Sequence, residues 1–130
     1  MKKRDSMYQK NGANRKYIHQ ALSPIHHSGN TKESDIVAAI LRYLRAVPRC
    51  FAWKTHGGMY GTAGIPDIIA CVRGRFFAFE VKTATGKATP LQKATLQKIL
   101  ASGGTAAVVR SVDEVRAILT SHGMALRNDQ

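Results

Sequence analysis

The chain has 130 residues, enough for one domain with its own core, and its 44% hydrophobic content is that of a globular protein. Lys and Arg number 20 against 8 Asp and Glu, a formal charge of +12 that points to a polyanionic partner, nucleic acid first and a membrane surface second. No apolar run is long enough to span a bilayer, no signal-type apolar stretch follows the basic start, and no Cys/His spacing suits zinc. An intracellular, cytoplasmic location is therefore expected, with Cys50 and Cys71 as buried, reduced thiols in strands.

Residues 1–30 differ in kind from the rest. They carry Lys2, Lys3, Arg4, Lys10, Arg15 and Lys16 against Asp5, are rich in Asn, Gln, Ser, Gly and His, and show no sustained apolar period. A poorly ordered basic tail is expected there. It serves either to track phosphates or only to keep the chain soluble, or it lies upstream of a natural start at Met7. Residues 31–123 are the expected folded domain, and 124–130 a short C-terminal tail.

Thr31 to about Ala46 reads as a helix, with Thr31 as cap and Glu33 in the first turn, where an acid suits the helix dipole. Val37, Ile40, Leu41 and Leu44 form the apolar stripe. Glu33 precedes Val37 by one helical repeat and so falls on that stripe; a carboxylate there needs a partner or must be satisfied by backbone N–H groups. Arg42, Arg45 and Arg49 face outward. Cys50–Thr55 reads as a strand, with Trp53 in the core. Lys54 and His56 then lead into the glycine-rich run 57–64, which matches no P-loop or dinucleotide fingerprint. It is either a loop beside a nucleic acid, with Lys54 and His56 on phosphates, or an ordinary long connection.

Next come two apolar runs around Arg73-Gly74, a hairpin. With those two residues as the turn, Val72 faces Arg75 and, counting outward, Asp67 faces Glu80. Opposed residues share a face, and Lys82, two positions beyond Glu80, points the same way. Two carboxylates and an ammonium thus meet at the open end. The strands are apolar on both sides, which suits a sheet covered on both faces and leaves the two acids repelling each other. A hard divalent cation such as Mg²⁺ would relieve this; an ion-paired triad Asp67–Lys82–Glu80 would also relieve it.

A polar loop with Gly86 and Lys87 follows. Thr89 caps the next helix and Pro90 takes its first position. Gln92, Leu96 and Ile99 share its inner face, which brings Gln92 to the acidic cluster, either to hold a substrate phosphate or a water, or to cap backbone groups at the sheet edge. After Gly103-Gly104 come a strand, 105–109, and a last helix to about His122 that opens on a capping box, Ser111 to Glu114. The order α-β-β-β-α-β-α gives an α/β fold with a mixed four-stranded sheet flanked by helices on both sides.

Gly64-x-Pro66-Asp67, then Glu80-Val81-Lys82, then Gly86 ahead of Pro90-x-Gln92, with Glu33 on an upstream helix, resembles the VRR-NUC (virus-type replication and repair nuclease) family of the PD-(D/E)xK nucleases. The likeness runs from about Thr31 to about Gly123. It implies a restriction-endonuclease-like fold and metal-dependent hydrolysis of DNA phosphodiesters. Asp67, Glu80, the Val81 carbonyl and Glu33 would hold Mg²⁺ or Mn²⁺, and Lys82 and Gln92 would act at the same centre. Lys54, His56, Gly64 and Lys87 are the expected DNA contacts. Stand-alone members resemble Holliday-junction resolvases, and paired cuts in a four-way junction imply a homodimer. Flap-type or general endonuclease activity remains open. So does a non-catalytic basic binding module, against which the acidic cluster argues, since without metal it would repel a polyanion.

Overall fold

The computed structural model describes residues 31–56 and 61–124. The basic N-terminal segment, the start of the glycine-rich run and the last residues lie outside that range. Seven elements follow in the expected order: α1 Glu33–Ala46, β1 Cys50–Lys54, β2 Ile68–Val72, β3 Arg75–Val81, α2 Pro90–Ala101, β4 Thr105–Val109 and α3 Val112–Ser121. The sheet order is β1-β2-β3-β4, antiparallel except for the parallel pair β3–β4 that α2 connects.

The hairpin register is the one the turn dictates. Val72 pairs with Arg75 and Ile68 with Phe79, so the next step outward is Asp67 opposite Glu80. Arg73 and Gly74 both have positive φ, 50° and 81°, as the two-residue turn that matches strand twist requires. The larger core lies on one sheet face. Ile40 and Leu44 of α1 and Val115 and Leu119 of α3 pack there on Phe77, Phe79 and Val81. The other face has a smaller core, in which Leu96 of α2 covers Ile69, Ala78 and Ala106.

Five expectations are corrected. Helix α1 starts at Glu33, and Lys32 occupies its cap position without a side-chain hydrogen bond, so Thr31 is not the cap. Helix α2 lies mainly over β3 and β4 on its face and touches β2 at Ile69, so the sheet is not covered on both sides throughout. As a result Trp53 is 42% exposed rather than core, and Cys71 is exposed while Cys50 is partly buried, both as free thiols. The capping box of α3 is half formed: Ser111 accepts from the Glu114 N–H, but the Glu114 carboxylate accepts from the Arg110 N–H instead. The box of α2, between Thr89 and Gln92, is complete.

Candidate active site

Asp67 stands just before β2, where the ladder with β1 is extended by one bond from the Thr55 N–H to the Asp67 carbonyl. The Thr55 hydroxyl donates to the Pro66 carbonyl at 2.6 Å. The main chain is thereby fixed on both sides of the acid. Asp67 Oδ2 accepts from the Val81 N–H at 2.8 Å, so the free backbone edge of Val81 faces the acid pair.

Glu80 is the only buried charged residue among those described, 1% exposed. One carboxylate oxygen, Oε1, takes two donors: the Gln92 amide at 2.7 Å and the Lys82 ammonium at 3.3 Å. The orientation of Gln92 is fixed by its other end. Its Oε1 accepts from the Thr89 N–H at 2.8 Å, which leaves Nε2 to donate to Glu80. The same side chain therefore caps α2 and donates to the buried acid; the backbone group it caps belongs to the start of its own helix, not to the sheet edge. The second oxygen of Glu80, Oε2, is buried without a hydrogen-bond partner. Burial, and then the negative charge of Asp67, push the Glu80 carboxyl up to about 7; Lys82 acts in the opposite direction and does not offset them.

Lys82 is largely buried and also lies 3.7 Å from Glu33. Glu33 is half exposed and reaches the lysine from the first turn of α1. Among the described residues no three His, Cys, Asp or Glu side chains are grouped to hold a metal ion; Glu33 meets the cluster through Lys82. The ion-paired alternative is realised only in part: Lys82 pairs Glu80 and Glu33, and Asp67 is satisfied by backbone.

The donor set nonetheless fits a hard cation. Two carboxylates, one of them with a buried orphan oxygen and a pKa raised by burial and then by its neighbour's charge, are what Mg²⁺ or Mn²⁺ takes when water and phosphate complete its shell. A cleft of about 420 Å³ opens beside them, lined by Thr55, His56, Gly64, Asp67 and Gln92 among others. His56 and Gly64 thus lie where a substrate would, while Lys54 points to the opposite sheet face, paired in register with Ile68. Lys87 is exposed in the loop after β3. Gly64 has a structural duty as well. Its φ is +80°, and an added Cβ would come within 2.8 Å of Leu91 Cγ.

One contributor escaped the sequence reading. Arg110, just past β4, donates through Nη1 to the carbonyls of Thr83 and Gly86, the latter at 2.8 Å. It pins the loop that follows Lys82 and carries Lys87. An arginine directly after a parallel strand gives no local sign of this, because its partners lie more than twenty residues earlier.

No family model matches the sequence, and no curated protein matches it. Solved structures do. One described as a VRR_NUC domain is 26% identical, with a TM-score of 0.58 over 71% of this chain and 97% of its own. Another, a VRR_NUC domain protein, shares 18% identity and the fold, with a TM-score of 0.59 over 75% of this chain and 93% of its own. With Asp67 and the Glu80-x-Lys82 pair gathered at the end of the hairpin, and Gln92 hydrogen-bonded to Glu80, this chain has the α/β fold of the VRR-NUC nuclease domains and is similar to them.

Proposed function

We propose that the protein is a metal-dependent endonuclease that hydrolyses DNA phosphodiester bonds, acting on branched DNA and, by preference, on four-way junctions as a homodimer in the cytoplasm. The observation that carries this reading is the buried Glu80 with one unpartnered oxygen beside Asp67, at the wall of an open cleft in a chain of charge +12. A protein that only binds nucleic acid gains nothing from such a pair.

Asp67 and Glu80 would hold Mg²⁺ or Mn²⁺, with the Val81 carbonyl beside them; when bound, the ion supplies Lewis-acid stabilisation of charge on the phosphate and acidifies a water. The chain's own residues do the rest. Gln92 holds Glu80 in one rotamer. Lys82 neutralises charge at the site or takes up a proton from the attacking water. Glu33 keeps the Lys82 ammonium near the cleft. His56, Lys87 and the Gly64 backbone flank the path of the strand, while Lys54, on the opposite sheet face, adds to the positive field of the chain. Paired cuts in a junction require two such centres, hence two copies of the chain.

The test is cleavage of a labelled four-way junction beside linear duplex, flap and single strand, in Mg²⁺, Mn²⁺ or EDTA, with Glu80→Ala as control. Symmetric, metal-dependent cuts lost in the variant are expected. Metal-dependent cutting of flaps or duplex alone would keep the nuclease and discard the junction preference. Tight, salt-sensitive binding with no cutting of any substrate would instead favour the binding module. Asp67→Ala and Lys82→Ala are expected to fold and to lose at least about 10²-fold in rate.

A further inference from the structure

The uncovered half of the sheet lies on the same face as Asp67 and Glu80. Register places Phe51 beside Cys71 and Phe76, Trp53 beside Ile69 and Ala78, and Asp67 beside Glu80, in three successive rows. Helix α2 shelters the far end of these rows and leaves the near end bare: Phe51 is 71% exposed and Trp53 42%. Burying aromatic rings is favourable, so two bare rings side by side mark a surface that meets something. Their centroids are 5.4 Å apart with a 44° tilt. Asp67 is a diagonal neighbour of Trp53 across the β1–β2 pair, a Cβ separation of about 7–8 Å. Thr55, the next residue on this face of the chain after Trp53, lines the cleft. The rings therefore form a track that runs into the site.

Charge selects the occupant. The chain as a whole carries +12, and helix α2, which borders this face, adds Lys93 and Lys98 and no acid; Lys54, Arg73 and Arg75 belong to the opposite side of the sheet, where Arg73 donates to the Gly123 carbonyl and Arg75 meets His122. Bare aromatic rings on a chain of charge +12, bordered by the lysines of α2, suit a polyanion with flat faces, and that charge opposes a second copy of the chain. We propose that Phe51 and Trp53 are a stacking platform for unpaired nucleobases of the strand that enters the cleft. The direction of that strand rests on the nuclease reading; the stacking does not.

Trp53 is the single tryptophan of the chain, so its emission reports on the platform directly. The full-length protein is titrated in EDTA with an oligothymidylate and, separately, with a blunt hairpin duplex. Binding is followed by anisotropy of a labelled strand alongside Trp53 emission. Saturable quenching by the single strand, and little by the duplex, is expected. Phe51→Ala should weaken single-strand binding by roughly 5- to 150-fold with an unchanged circular dichroism spectrum. Anisotropy binding without a change in Trp53 emission, and with Phe51→Ala equal to wild type, would overturn the proposal in favour of phosphate contacts alone. Self-association in sedimentation equilibrium without DNA, abolished by Phe51→Ala, would overturn it in favour of a second copy. Because no metal is present, the outcome is independent of cleavage: a chain that cuts but shows no quenching loses the platform and keeps the nuclease, and the converse holds equally.

Discussion

At the scale of single residues the site is a problem of charge placement. Glu80 is buried next to Asp67, and its carboxyl is raised from 4.5 to about 7. Between those values the folded protein holds a proton that the unfolded chain releases. Stability of the metal-free protein should therefore fall as pH rises from about 5 to about 7, by no more than roughly 3 kcal/mol. Urea denaturation at a series of pH values checks this, with Glu80→Gln expected to show a much flatter profile. Stability that climbs through that window in the wild type, and not in the variant, would contradict the assignment. Gln92→Ala removes both a cap and a donor to Glu80. It should cost about 1 kcal/mol through the lost helix cap. It should also move the acidic limb of the pH–rate profile upward, because the charged form of Glu80 loses a hydrogen bond. A purely structural role for Gln92 would lower the melting temperature and leave that limb in place.

At the scale of elements, the turns and caps decide where the acids stand. The Arg73-Gly74 turn sets a register that brings Glu80 opposite Asp67, and Thr55 fixes the main chain on both sides of Asp67. Gly64 allows the approach into Pro66 and Asp67, with positive φ and Leu91 pressed against its α-carbon. Gly64→Ala should destabilise by about 1–3 kcal/mol. It should also reduce activity more than that loss of stability explains, since the strain falls three residues before Asp67; thermal melts and rates on one preparation separate the two effects. Much of this was legible locally. A two-residue break between apolar runs, Thr-Pro ahead of a helix and a glycine before Pro-Asp are short-range signals. The Arg110 clamp and the Glu33–Lys82 contact were not legible as such, because each joins segments that only the assembled sheet brings together.

For the whole molecule, a charge of +12 sets the behaviour toward nucleic acid. Binding measured in EDTA should weaken by at least about tenfold between 50 and 200 mM salt, with a linear dependence of log affinity on log salt. Removing the acids should strengthen it: Glu80→Ala is expected to bind metal-free DNA more tightly than wild type at low salt. Salt-insensitive binding would remove phosphate contacts as its basis.

The chain by itself determined the order of elements, the hairpin register and the convergence of Asp67, Glu80 and Lys82, because each follows from period, turn length and strand alternation within a short span. Tertiary structure alone decided what covers what. That Trp53 and Cys71 lie bare, that Glu33 reaches Lys82, and that one oxygen of Glu80 is sealed without a donor all depend on where the helices come to rest. An apolar strand looks the same in sequence whether a helix lies over it or not. Coverage is a property of lengths and packing across the sheet, and α2 is placed to shelter chiefly its β3–β4 half.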